Sequence, residues 1–252
     1  MLIKANALRG YSLKSIDGDI GSTSELFFDD QYWTIRYLVA NTSSWLGGRK
    51  VLISPYSLDC VDILDQEVSV QLTRKQIEDS PSIDTHEPVS RQFERSYNGY
   101  YGYPDYWSGP YMWGGYSCIE RDRTRWGSAA TEPVGADRHL RSTNEVTGYH
   151  LLADDGEIGH VDDFIIDDET WTIRYLVVAT KNWWPGKKVL ISPKWIENVS
   201  WEEREVAIGL SRETIKAAPE YSDESLLTRE YETGLHGYYN REGYWVEELV
   251  AV

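Results

Sequence analysis

The sequence predicts a mainly β fold: two tandem small β-barrels, each followed by a short helix and an aromatic carboxy-terminal arm. Three observations carry that expectation. The chain repeats itself at one fixed offset. Its apolar residues fall in short runs rich in β-branched and aromatic types. Each set of runs ends in a capped helical segment that stops before a proline.

The repeat comes first. Shifting residue n to n+138 aligns the halves without a gap. Trp33-Thr34-Ile35-Arg36-Tyr37-Leu38-Val39 meets Trp171-Thr172-Ile173-Arg174-Tyr175-Leu176-Val177, and Lys50 to Pro55 meets Lys188 to Pro193. From 10 to 81, 32 of 72 positions are identical to those of 148–219. Arg91, Glu94, Gly99-Tyr100-Tyr101 and Tyr106-Trp107 meet Arg229, Glu232, Gly237-Tyr238-Tyr239 and Tyr244-Trp245. Only duplication produces that pattern, and two long copies read as two domains rather than a solenoid. The expected division is 2–107 and 140–245, with 108–139 as linker and 246–252 as tail.

Each copy then reads in order. Asp17-Gly18 and Asp155-Gly156 are two-residue hairpin signals. The run after Gly156 alternates imperfectly through Ile158, Asp162, Phe164 and Ile166, as a strand does. Asp167-Asp168-Glu169 makes a turn, where Asp bonds to its own backbone. Trp171–Val178 and Lys188–Ser192 are strands separated by Pro185-Gly186, and Trp195–Trp201 and Glu205–Leu210 add two more. Ser211 caps a short helix, and Thr73 with Gln76 forms a capping box in the first copy. Pro88–Tyr101 and Ser225–Tyr239 carry Arg, Glu and aromatics at loosely helical spacing. Five or six short strands with tight turns in a segment of this size imply a small, strongly bent sheet or barrel.

Those residues carry a resemblance. The Gly-Tyr start, the Asp-Gly-(Asp/Glu)-Ile-Gly turn, and the Trp-Thr-Ile-Arg-Tyr-Leu-Val and Val-Leu-Ile-Ser-Pro strands resemble the PRC-barrel family. That module occurs in the cytoplasmic part of the photosynthetic reaction-centre H chain and in a ribosome maturation factor. The pattern Pro88-Val89-x-Arg91-x-x-Glu94 followed by Tyr100-Tyr101-Gly102-Tyr103-Pro104 is similar to a bacterial subgroup with two tandem barrels. The resemblance implies a docking module that acts on partners through surface contacts.

Composition narrows the function. Twenty-five Lys+Arg against 41 Asp+Glu give a net charge of −16. Such a surface repels nucleic-acid phosphates and anionic lipid headgroups. No apolar run approaches the roughly 20 residues that span a bilayer. The start Met1-Leu2-Ile3-Lys4-Ala5 has no extended apolar stretch, and two cysteines make no disulfide framework, so a cytoplasmic protein is expected. Eleven Trp and 18 Tyr against 4 Phe favour half-buried surfaces and interfaces.

Candidate sites follow. Trp45, Trp183 and Trp184 lie in hairpin loops, and Tyr111 and Trp113 in the linker; all five are candidate partner contacts. The loop tryptophans serve equally well as caps on a barrel end. Arg36 and Arg174 sit among apolar neighbours, so an ion pair with an acidic turn residue is expected. Asp29, Asp30, Asp162, Asp163, Asp167 and Asp168 are the candidate cation or proton site, although turns attract Asp in any case. The five histidines, His86, His139, His150, His160 and His236, neither pair at helical spacing nor recur at the repeat offset. No catalytic constellation, metal site or cofactor is expected, and the chain is expected not to be an enzyme. The leading expectation is a non-catalytic docking protein with an unidentified protein partner of the electron-transfer or membrane-associated kind, and self-association is compatible with it. The alternative is a soluble small-ligand or cation-binding protein of a stress-related kind.

Overall fold

A computed structural model describes residues 1–42, 46–83, 89–107, 113, 119, 139–180, 186–223 and 225–246. The protein is mainly β, with two seven-stranded sheets and few helices. The first half supplies β1 (Leu2–Lys4), β2 (Ser12–Ser15), β3 (Gly18–Asp29), β4 (Thr34–Asn41), β5 (Lys50–Ile53), β6 (Leu58–Asp62), β7 (Glu67–Val70), α1 (Arg74–Glu78) and α2 (Arg91–Tyr101). The second supplies β8 (Leu140–Ser142), α3 (Thr143–Val146), β9 (His150–Ala153), β10 (Gly156–Asp167), β11 (Ile173–Ala179), β12 (Lys188–Ile191), β13 (Ile196–Ser200), β14 (Glu205–Ile208), α4 (Arg212–Ala217) and α5 (Arg229–Tyr238).

The sheet paths are β5-β4-β3-β2-β7-β6 and β12-β11-β10-β9-β14-β13, identical in the two copies. Neither path closes on itself among the described residues. All ladders are antiparallel except β2–β7 and β9–β14. The twelve-residue strands β3 and β10 organise each sheet. Their first halves pair with β2 and β9, and their second halves with β4 and β11. Register shifts along them mark bulges, and bulges bend a strand. Gly18 and Gly156 take φ of 145° and 133° at the hairpin turns, a region closed to most side chains. Three residues on, a Cβ at Gly21 or Gly159 would lie 2.0 Å from the carbonyl oxygen of Asn41 or Ala179, so only glycine lets the paired strands approach there.

The seventh strand of each sheet comes from the other half of the sequence. β1 pairs with β10 as Leu2↔Asp167, Ile3↔Ile166 and Lys4↔Ile165. β8 pairs with β3 as Asp29↔Leu140, Phe28↔Arg141 and Phe27↔Ser142. The two registers are the same under the repeat offset, so the exchange is reciprocal. The compact units therefore interleave along the chain. The amino-terminal unit is Ala5–Asn144 with Asp168–Thr172, and the carboxy-terminal unit is Met1–Lys4, Glu145–Asp167 and Ile173–Val252.

The cores are the strands themselves. Every residue from Thr34 to Ala40 is buried, as is every residue from Ile173 to Val178. Thr73 and Gln76 make the capping box reciprocally, and Ser211 accepts from the Thr214 amide. Ser90 and Thr228 cap α2 and α5 in the same way. Among the described residues no helix is long and apolar enough to cross a membrane.

Candidate functional site

One arrangement recurs in both units: a buried glutamate ringed by two tyrosines, an arginine and a histidine. In the amino-terminal unit α2 carries Arg91, Glu94 and Asn98 on one face, at helical spacing. Glu94 is fully buried, and its Oε1 accepts from Tyr37 of β4 at 3.1 Å and from Tyr106 at 2.6 Å. His139 Nε2 lies 3.0 Å from the Tyr106 hydroxyl and 3.2 Å from Glu94 Oε2. Arg91 stands 3.7 Å from the same carboxylate and over the Tyr106 and Trp107 rings.

The carboxy-terminal unit repeats this with α5. Glu232 accepts from Tyr175 at 2.9 Å and from Tyr244 at 2.8 Å, and Arg229 pairs with it at 3.1 Å. His236 Nε2 lies 3.0 Å from the Tyr175 hydroxyl, and its Nδ1 is 2.9 Å from the Glu242 carbonyl. Burial, followed by the nearby glutamate, raises the phenols of Tyr37, Tyr106, Tyr175 and Tyr244 above their ordinary value. They are therefore neutral donors to a carboxylate.

The histidines arrive by different routes. His236 is on α5, where its counterpart in the first copy is Asn98. His139 precedes β8, and its counterpart is Met1. Recurrence at the repeat offset is thus blind to a histidine that each unit places at the same cluster.

His236 makes a pH prediction. Burial lowers its pKa, opposed by the Glu242 carbonyl and reinforced by the cations Lys194 and Arg229. Glu232, Tyr175 and Tyr244 complete its polar surroundings. In the native state the ring resists a proton that the unfolded chain accepts at about pH 6.5. The stability tied to a neutral His236 is therefore present above about pH 6.5, falls as pH drops below it, and levels off below the ring's own lower pKa. We expect the unfolding midpoint to fall less between pH 7.5 and 5.5 in His236→Asn, which carries the first-copy residue, than in the wild type. Equal falls, measured in parallel urea titrations, would remove His236 from the acid limb.

The sequence-predicted residues are distributed as follows. Arg36, 1% exposed, donates to Asp29 through Nε and to the Trp113 carbonyl at 2.6 Å through Nη2. Its guanidinium lies 3.8 Å from the Tyr106 ring centre and 4.7 Å from that of Trp113. Arg174 pairs with Asp167 at 2.7 Å and lies over Tyr244 at 3.9 Å. Trp113, a candidate partner contact in the linker, is 1% exposed, and its Nε1 donates to the Thr170 carbonyl. A tryptophan bound to Arg36 on one side and Thr170 on the other is a packing residue. Trp45, Tyr111, Trp183 and Trp184 lie outside the described residues.

The acidic turns do not converge. Asp29 serves Arg36, Asp30 pairs with Arg141 at 3.0 Å, and Asp162 pairs with Lys188 at 2.9 Å. Asp163 is buried 3.5 Å from Lys4, and Asp167 serves Arg174. Asp168 occupies the turn beyond. Among the described residues no group of three or more His, Cys, Asp or Glu is placed to hold a metal ion. For five of the six, an opposite charge within reach takes up the carboxylate. A cavity of 670 Å³ beside α4 is lined by Asp155, Arg212, Glu213, Lys216 and Ala217, with both signs of charge.

Sequence reasoning does not single out Glu94 and Glu232 as a site. A signal exists all the same: Glu94, Tyr37 and Tyr106 all recur at the repeat offset, which marks a carboxylate retained inside an otherwise apolar, aromatic set.

No curated protein matches the chain. Residues 143–209, from α3 to the end of β14, match the family model described as the PRC-barrel domain.

Proposed function

We propose that this chain is a non-catalytic docking protein, made of two PRC-type barrels, that presents an acidic surface to another protein. The observation that carries this reading is the inward commitment of its reactive groups. Glu94, Glu232, their tyrosines and both cluster histidines bond to one another inside the units. Arg36 and Arg174 are taken up by Asp29 and Asp167. What faces solvent is an excess of carboxylates, consistent with the net charge of −16. The PRC-barrel match in the second copy, and the 32 identities in 72 positions that the first copy shares with it, support reading both copies as that module. The partner class is an electron-transfer or membrane-associated complex of the cytoplasm, approached through a basic surface, because opposite fields steer encounter.

The test is crosslinking and affinity purification of the tagged chain from its native cells, with the membrane fraction retained, at about 0.15 M and about 0.5 M salt. Recovery of a specific protein complex at the lower salt, weakened at the higher, is the expected result. Recovery of the chain alone at both would end the docking reading.

A further inference from the structure

Resting on the docking reading, we propose that the hairpin tip Ile63–Leu64, between β6 and β7, is the apolar anchor of this surface. Its partner is a protein offering an apolar pocket rimmed by lysine or arginine. Leu64 is 94% exposed and Ile63 is 42% exposed. The tip is held in shape: Asp62 Oδ1 accepts from the Leu64 amide at 2.9 Å and the Asp65 amide at 3.0 Å, and Asp62 pairs with Glu67 across the ladder. A preformed anchor loses little conformational freedom on binding.

The second copy is an internal control. The same hairpin there reads Ser200-Trp201-Glu202-Glu203-Arg204, so Glu202 stands where Leu64 stands. Gln66 and Arg204 take matching left-handed φ of 53° and 59°, and Ser200 replaces Asp62 as the cap by accepting from the Glu203 amide. Trp201, the counterpart of Ile63, packs against Tyr149. The fold therefore builds this tip without a protruding aliphatic pair, and nothing in its local geometry requires one. The aliphatics are a feature of the first copy alone.

The surroundings select the occupant. Asp62 and Asp65, which flank the pair in the hairpin, are exposed. Acids beside an apolar anchor complement a basic rim and oppose an anionic lipid surface. They equally oppose a second copy of this chain, which carries the same acids.

The test uses the full tagged chain in three forms: wild type, Leu64→Glu and Leu226→Glu. The first variant installs the second copy's residue; the other places the same charge at an 81% exposed leucine of the other unit. Each is mixed with soluble and membrane extracts of the native cells. We expect a protein whose capture falls about tenfold or more with Leu64→Glu, the scale of a hot-spot anchor, and holds with Leu226→Glu. Thermal midpoints should match in all three forms. A partner captured equally by all three overturns the anchor while leaving the docking reading standing. No captured partner for the wild type overturns both. Leu64-dependent sedimentation with phosphatidylcholine vesicles holding about 30% phosphatidylserine would assign the tip to a membrane and overturn the proposal. A wild-type dimer that Leu64→Glu converts to monomer would assign it to a second copy, with the same consequence.

Discussion

Replacing Glu94 with alanine is expected to destabilise the amino-terminal unit by about 3–5 kcal/mol. The carboxylate is fully buried and is the shared acceptor of Tyr37 and Tyr106. Its removal takes the acceptor from Tyr37, leaves the Tyr106 hydroxyl only His139, deprives Arg91 of its carboxylate, and opens a cavity where the side chain was. Each buried donor left unpaired costs about 1–3 kcal/mol. Glu94→Gln keeps an oxygen for the two phenols and the volume of the side chain, so its loss should be about 1–2 kcal/mol. Urea unfolding followed by circular dichroism separates the two. Equal losses for Ala and Gln would mean that the hydrogen bonds contribute nothing beyond packing. Glu232 should repeat the ranking in the other unit, since Tyr175, Tyr244 and Arg229 surround it in the same way.

Arg36→Met should cost about 3–5 kcal/mol, because it leaves the Asp29 carboxylate buried without its cation. The side chains of Arg36 and Asp29 are 0% and 2% exposed. The guanidinium also lies over the Tyr106 and Trp113 rings, a contact worth up to about 2 kcal/mol when desolvated. Lysine is a poor substitute, since an ammonium cannot reproduce a planar fork that reaches Asp29 and the Trp113 carbonyl together. The double variant Asp29→Asn with Arg36→Met should recover most of the loss, because it leaves no isolated charge. Arg174→Met should cost less: Arg174 and Asp167 are 7% and 16% exposed, and water can solvate the orphaned carboxylate there. The comparison is read from urea midpoints. A double variant as unstable as Arg36→Met alone would show that packing against the rings, and not the ion pair, carries the stability.

Much of this was legible in residues. The Asp-Gly hairpins, the Trp-Thr-Ile-Arg-Tyr-Leu-Val strand, the Thr73 capping box and the helices ahead of Pro81 and Pro219 are local decisions of turn chemistry, β-propensity and capping. The buried cluster was legible only in part. Its glutamates and tyrosines recur at the repeat offset, but nothing local says that residues 37, 94 and 106 meet at one point. Trp113 reads as a candidate partner contact in the linker because no neighbour in sequence predicts that it will meet Arg36 and Thr170.

By itself the sequence determined the duplication, read from residues 138 apart, and also the β class, the Asp-Gly hairpin turns and the helix caps, because these last rest on contacts a few residues apart. Tertiary structure alone decided three things. It sent β1 to β10 and β8 to β3, because a three-residue strand has too little pattern to name its partner. It brought His139 and His236 to equivalent clusters from non-equivalent positions. It also distributed the acidic turns among Arg36, Arg141, Lys188, Lys4 and Arg174, because a buried charge takes whichever opposite charge the fold brings within reach, however distant in the chain.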